Sequence, residues 1–574
     1  MEIHFIWIRK YEYLERAGIN FSARFIIEMI SPRDSSNNYI LSIKDNPHFI
    51  PNFFGKSNIQ NITAIIGKNG AGKTTILNYI RKNLPEGVAA GITDDLFVYS
   101  RIEGEIEKFH IVKPLSVNVE LENESKTIFE KTDYGDLSND LRFNGGVTNA
   151  DYIFYQYLLN FNENAQTYHG ERNISTAYLM LQERKRILEE SQNGGADRNL
   201  LLQESDLDRY HISEVARAIQ LLSANVVALP FAKPEALRIE LDLSDAAYFR
   251  ENQSDPELSK LLETFQSEIA TERDIVTAFE KNLLLSLYIN FLMDERKYGH
   301  PPYIHRIEQN EGENSRDYIW RFFESLRDVS FVYEGKTASI QKYRILADLV
   351  PEFLGIISGA IQQKDATIFD KKTLSLSLND QTETIFRNFS NLYLKIKGIG
   401  TIFKFTWRSL SSGEQSYLSF MSRFYHVARH EYGDLRKDLV ILIDEGDMGY
   451  HPEWQRRYFH TTLNFLSELF KDHNLQIILT ANTPFITSDL PKAHVLFIEK
   501  IENKLSLYKS KDNDRDDTFG ANIHTLFSNS FYLKGVLIGE FAKEKINEII
   551  AYLAPEKTPE APPDGTYRKI IDQI

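Results

Sequence analysis

GKNGAGKTT, Gly67 to Thr75, is the stretch on which the fold turns. It follows a short apolar run, Ile62–Ile66, and opens a helix-patterned segment, Thr74–Lys82. Strand, glycine-rich loop and helix in that order form the setting a phosphate-cradling loop requires. Gly67, Gly70 and Gly72 let the backbone curl so that its N–H groups face an anion. The helix N-terminus behind them adds partial positive charge. Lys73 is then placed to reach the β- and γ-phosphates of a nucleotide, and the Thr74 hydroxyl to bind Mg²⁺. Asn69 and Thr75 complete the candidates contributed by this loop.

Two later segments belong with it. LSSGEQ, Leu410 to Gln415, lies upstream of LVILIDE, Leu439 to Glu445. The second is apolar until it ends in two carboxylates, as a strand buried on both faces would be. Asp444 at its end is a candidate Mg²⁺ ligand, and Glu445 is placed to take a proton from an attacking water.

Outward from these motifs the chain reads as two strand-rich parts around a helical middle. Ile3, Phe5 and Trp7 alternate with more polar neighbours, and Ser22–Ile30, Asn38–Ile43 and the stretch from Asp94 to Leu121 give further strands. Residues 131–150 read as a loop, and Tyr152–Tyr155 as a buried strand. Ser175–Ser191 reads as an amphipathic helix ending at Asn193-Gly194-Gly195. Asp255-Pro256 starts another helix, with Leu258, Leu261, Leu262, Phe265 and Ile269 at helical spacing, expected to be core. His300 and His305, in a Gly/Pro-containing loop, lack partners at metal-binding spacing. Strands return at Ile402–Trp407, Gln476–Thr480 and His494–Ile498, and a Pro/Glu-rich linker spans Pro555–Pro563.

The expected fold is α/β: a mixed sheet flanked by helices and interrupted by a large, mainly helical insertion. Its parts are 1–170 (first half), 171–380 (insertion), 381–510 (second half) and 511–574 (a helical segment and tail).

Composition bounds the function. The 574 residues exceed one ordinary core, and 42% hydrophobic with 26% charged residues is globular usage. The absence of cysteine excludes disulfides and thiolate chemistry and fits a reducing, cytoplasmic setting. No secretory pattern opens the sequence, and the longest apolar stretch, Asn282–Met293, reads as too short to span a bilayer. A net charge of −15 argues against wrapping duplex DNA over the whole surface.

In this order GKNGAGKT, LSSGE and LVILIDE resemble the ABC ATPase superfamily, including its SMC and RecF branch. More narrowly, DEGDMGYHPEWQ (444–455), TANTPFITSDLP (480–491) and FGANIHTLFSNSFYL (519–533) resemble the AAA-type ABC ATPases of prokaryotic defence islands, the PtuA family of Septu systems and some retrons. The resemblance implies ATP and Mg²⁺ as cofactors, and a homodimer in which Ser411 and Gly413 contact the γ-phosphate held by the opposite subunit. It also implies assembly into a higher homo-oligomer. It implies a separate HNH nuclease partner of the PtuB type and, in a retron, nucleic acid (msDNA) and a reverse transcriptase met through the complex. The family's Mg²⁺-touching glutamine would be Gln156. Its switch histidine falls at Asn482 and its loop-ending aspartate at His451. Asn can hydrogen-bond a phosphate but carries no proton or charge to it, so slow hydrolysis or ATP binding as a signal is expected. A DNA-repair ATPase of RecF type and a non-hydrolysing sensor are the alternatives.

Overall fold

The computed structural model describes residues 1–553 except 32–37, 86–93, 105, 115–116, 134–146, 148, 160–166, 169, 194–204, 253, 299–304, 334–335, 340, 399, 409, 430–432, 502–503, 508–516 and 530–539. His300, the Gly194-Gly195 breaker, most of the 131–150 loop, the end of the 519–533 segment and the Pro555–Pro563 linker lie outside the described residues.

The chain opens with strands β1 (Glu2–Tyr11), β2 (Leu14–Asn20), β3 (Phe25–Ile30), β4 (Asn38–Asp45) and β5 (Ile59–Gly67). After the helix Lys73–Asn83 come β6 (Leu96–Glu103), β7 (Ile106–Lys113), β8 (Asn118–Asn123), β9 (Phe129–Asp133), β10 (Asp151–Gln156) and β11 (Glu171–Asn173). The middle adds β12 (Ala236–Leu241), β13 (Ser330–Tyr333), β14 (Lys336–Ser339), β15 (Ala366–Ile368), β16 (Thr373–Ser377) and β17 (Phe403–Trp407) among long helices. β18 (Asp438–Asp444), β19 (Asn474–Ala481), β20 (Val495–Ile501) and β21 (Lys504–Leu507) close the series. The architecture is α/β with mixed sheets, as the sequence pattern implied.

The central sheet has seven strands in the order β11-β10-β18-β19-β5-β20-β21. All neighbours are parallel except β20 and β21. Its inner strands alternate between two cores. Ile62, Ala64 and Ile66 of β5 and Leu439, Ile441 and Ile443 of β18 face the helices Ser412–Ala428 and Pro452–Leu469. Ile65, Val440 and Leu442 face the helix Lys73–Asn83 and the β1 sheet. A parallel strand covered on both sides must be apolar throughout, which is why these runs read as continuous. Gln476, buried within β19, satisfies its amide against the Ile3 backbone: Oε1 accepts from N at 2.7 Å and Nε2 donates to O at 2.8 Å.

β1 departs from the expected alternation. Residues 3–8 are all buried. A bulge between Ile3 and Phe5 shifts the register, so Ile3, Ile6 and Ile8 enter one core and Phe5 and Trp7 another. One extra residue reverses side-chain parity, and no pattern in the sequence marks it.

The insertion begins and ends elsewhere than the expected limits. β17, expected in the second half, pairs with β12 in a four-stranded sheet, β15-β16-β12-β17. With the helix Thr382–Ile396 it shares one core with the helices Pro256–Thr271, Ile275–Tyr298 and Gln341–Gln362. No break in packing falls at 380/381. At the other end, Ala218, Leu221 and Leu222 of the helix Asp206–Ala224 join the central-sheet core, while its Ile212, Val215 and Ile219 join the insertion core. That helix is the hinge between the two bodies of packing. Leu262, Phe265 and Ile269 are core, as their spacing implied.

Two helical stretches, Ile275–Lys297 and Lys342–Gln362, are long and apolar enough to cross a membrane by length and composition. The first extends well past the apolar stretch Asn282–Met293, and 72% of its apolar window is buried inside the insertion. The second alternates buried Val350, Phe353 and Ile357 with exposed Arg344, Asp348 and Glu352. The first is thus a packed helix of the insertion, whereas 39% of the second's apolar window is buried.

Arg423, fully buried on the helix Ser412–Ala428, ties the hinge helix to the central sheet. Its guanidinium reaches Glu214 at 3.1 Å, Tyr210 Oη at 2.6 Å, and Thr176 Oγ1 at 3.1 Å. Burial alone would raise the Glu214 carboxyl, but Arg423 and Arg217 hold it down at about 2. Removing one member of a buried ion pair strands the other and costs about 3–5 kcal/mol. Arg423→Met is therefore expected to lower the melting temperature by several degrees, read by calorimetry. The folded value of Glu214 lies below its ordinary 4.5. Its stabilising share is thus full above that value and is lost as pH falls towards 2. The stability deficit of Arg423→Met should accordingly narrow in acid. A variant as stable as the parent at pH 7 would refute this account of the joint.

Candidate functional site

Because β5, β10, β18 and β19 are parallel, their carboxyl ends, Gly67, Gln156, Asp444 and Ala481, share one edge of the sheet. Ligands of open α/β sheets bind outside that edge, and the candidate residues converge there.

The Gly67–Thr75 loop leaves β5 with Gly70 at φ 77° and Gly72 at φ 108°, in the left-handed region that favours glycine. A Cβ on Gly72 would strike the Tyr13 hydroxyl. Asn69 and Gly70 are exposed, whereas Lys73 is 5% exposed. Its Nζ donates to the carbonyls of Gly67 at 2.9 Å and Lys68 at 3.4 Å. Burial lowers its pKa, while Glu445, Asp444 and Asp447 pull it up. The Tyr13 hydroxyl donates to Thr75 Oγ1 at 2.6 Å, laying the β1–β2 turn against the loop.

Asp444, fully buried, gathers three groups. Its Oδ2 lies 3.0 Å from Thr74 Oγ1 and accepts from Gln156 Nε2 at 2.7 Å. Its Oδ1 accepts from Thr480 Oγ1 at 2.7 Å. Burial pushes its pKa up, and Thr480, Thr74 and Gln156 oppose the shift. Thr74, Gln156 and Asp444, separated in sequence by up to 370 residues, thus form one oxygen-rich cluster, the donor set that Mg²⁺ takes. In that role Gln156 would present its amide oxygen.

Glu445 is half-buried, with φ 50°. For a residue other than glycine this costs about 1–3 kcal/mol and is tolerated where surrounding contacts fix the turn. Thr480 Oγ1 accepts its N–H at 2.9 Å, and Asn482 Nδ2 donates to its Oε1 at 2.7 Å. Asn482 thus lies just beyond β19 at the carboxyl end of the sheet, bonded to Glu445. His451 caps the helix Pro452–Leu469, its Nδ1 accepting from Glu453 N at 3.4 Å.

Ser411 and Gly413 stand apart. Ser411 caps the helix Ser412–Ala428 in a capping box with Glu414 and is exposed. A Cβ at Gly413 would lie 3.3 Å from the Trp454 ring, a tight contact. Among the described residues no hydrogen bond joins either to the Gly67–Thr75 loop. This helix start is exposed and carries the positive end of the helix dipole, while the Glu414 carboxylate accepts from the Ser411 N–H and hydroxyl at 2.7 and 2.8 Å.

Sequence reading missed Thr480, Tyr13 and Asp447. Asp447 is fully buried, accepts from Thr483 Oγ1, and is raised by burial to about 6. The only signal for Thr480 was its place at the end of an apolar strand. His305 is spent on Ser325 Oγ at 2.8 Å. The cluster Glu2, His4 and Glu107 is spent likewise, since both His4 nitrogens meet serine hydroxyls, at 3.1 and 3.0 Å. Neither a protein-family model nor a curated protein matches the sequence.

Proposed function

We propose that the chain is an ABC-type P-loop ATPase that pairs through ATP with a second copy and thereby controls a separate nuclease in an antiphage defence complex. The carrying observation is the convergence of Lys73, Thr74, Gln156, Asp444 and Glu445 on one sheet edge. The residues fit ATP and Mg²⁺. Gly70 and Gly72 hold the left-handed backbone of the loop, and among the described residues the Lys73 ammonium behind it donates to the Gly67 and Lys68 carbonyls. Bound Mg²⁺ would neutralise charge on the phosphates, held by Thr74, Asp444 and Gln156. Lys73 and the loop N–H groups orient the triphosphate. Glu445 is positioned to accept a proton from water, and Asn482 fixes that carboxylate.

Ser411 and Gly413 are the second support. An exposed helix start with no hydrogen bond to its own loop among the described residues suits a phosphate delivered by another subunit, which would displace the Glu414 carboxylate from Ser411. ATP shared in this way makes dimerisation depend on nucleotide. The nuclease partner rests on the motif resemblance, as does the defence role. A second reading, a sensor that binds ATP without turnover, is favoured by Asn482 in place of a histidine.

Sedimentation velocity with and without Mg-ATP tests the proposal. A shift from monomer towards dimer is expected, and Ser411→Arg should weaken that shift at least tenfold in ATP concentration by placing a bulky cation at the helix start, about 1.4 kcal/mol. A chain that stays monomeric at saturating Mg-ATP would refute the proposal. The defence role predicts nuclease activity only when an HNH protein encoded next door is added; DNA cleavage by the purified chain alone would sink it.

A further inference from the structure

We propose that the Thr480 hydroxyl is the positioning group that locks the metal-binding carboxylate and the general base to one another. The inference rests on the ATPase reading above and deepens it.

A hydroxyl has one proton and two lone pairs. Thr480 donates that proton to Asp444 Oδ1 at 2.7 Å and accepts the Glu445 N–H at 2.9 Å. One atom is thus bonded to the side chain of one functional residue and to the backbone of the next. Thr480 itself is fully buried on β19, and its branched Cβ restricts rotation about χ1. The hydroxyl is therefore held, not free to seek other partners.

Two consequences follow for the site. The Thr480 bond occupies Oδ1 and so sets the rotation of the Asp444 carboxylate, turning Oδ2 towards Thr74 and Gln156. The other bond acts where β18 ends. There the chain turns through φ 50° at Glu445, out of the ladder with β19. The Glu445 N–H has left its strand, and Thr480 supplies the acceptor that the turn needs. Without it, the left-handed turn loses a restraint and the carboxylate it aims would swing. Asn482 holds the same carboxylate from its far end, at 2.7 Å. The base is thereby gripped at backbone and tip by residues two apart on one segment.

A group that orients metal ligands without touching the metal changes metal affinity or activity by about 10–100-fold when removed. The test compares Thr480→Val, Thr480→Ala and Thr480→Ser with the parent full-length chain. ATP hydrolysis is followed as a function of ATP and of Mg²⁺, with ATP-analogue binding and thermal unfolding alongside. Thr480→Val should lower kcat and the apparent Mg²⁺ affinity by about 10–100-fold and leave KM for ATP nearly unchanged. Thr480→Ala should behave alike, and Thr480→Ser should restore both. Alanine and serine both lack the methyl, so their difference reports the hydroxyl alone, even if the valine variant folds poorly. Equal rates and Mg²⁺ dependence for Thr480→Ala and Thr480→Ser would overturn the proposal, as would a fully active Thr480→Val. A parent chain that neither binds nor hydrolyses Mg-ATP would instead defeat the ATPase reading itself.

Discussion

Replacing Glu445 with glutamine is expected to slow ATP hydrolysis by about 10²–10⁴-fold, the usual worth of a positioned general base, and to accumulate ATP-bound dimers. Glutamine keeps the size of the side chain and can still accept the Asn482 amide proton, now made to Glu445 Oε1 at 2.7 Å. The φ 50° turn and the N–H bond to Thr480 are backbone features and survive the change. ATP binding should therefore persist while proton transfer fails. Sedimentation with Mg-ATP reads the trapped dimer, and phosphate release reads the rate. A variant whose oligomeric state and phosphate release both match those of the parent would exclude hydrolysis at this residue and leave the sensor reading.

Lys73→Ala carries the second large effect, on binding. The ammonium sits behind the glycine loop with its charge partly desolvated. Truncating one partner of a buried, hydrogen-bonded charge pair costs about 2–5 kcal/mol, which is about thirtyfold to several thousandfold in ATP affinity. Stability of the nucleotide-free chain should change little. Burial already penalises the ammonium, and the Gly67 and Lys68 carbonyls it serves lie beside an open loop. Titration with a fluorescent ATP analogue measures the loss, with melting temperature as the control. Undiminished affinity would remove the loop from any nucleotide site.

The two predictions fail differently. Loss of binding without trapping would point to a binding loop with no working base. Trapping without loss of binding would place the nucleotide elsewhere. Ser411→Arg is distinct again, because it should spare binding within one chain and impair only the pairing of two.

Local signals made part of this legible in advance. The glycine loop is legible because phosphate recognition uses consecutive backbone N–H groups, so its requirements are written in adjacent residues. Asp444 and Glu445 are legible because a strand buried on both faces is apolar until it ends. Gln156 is picked out only through the family resemblance, which places a Mg²⁺-touching glutamine just after Tyr152–Tyr155. Thr480 had no such mark, since a threonine closing a β-branched strand reads as a packing residue until its neighbour is known. β17 misled for the same cause. Phe403 and Phe405 alternate as any half-buried strand does, and alternation does not name the sheet.

The sequence by itself determined which local elements form and which residue types end them, because propensity, turn chemistry and apolar period act over a few neighbours. Only the tertiary structure decided which strand lies beside which. That choice brings Thr74, Gln156, Thr480 and Asp444 within hydrogen-bonding distance, flips the faces of β1 through one bulge, and assigns residues 382–407 to the insertion. Pairing is a contest among long-range contacts whose partners are hundreds of residues apart, and no short window of sequence contains both sides.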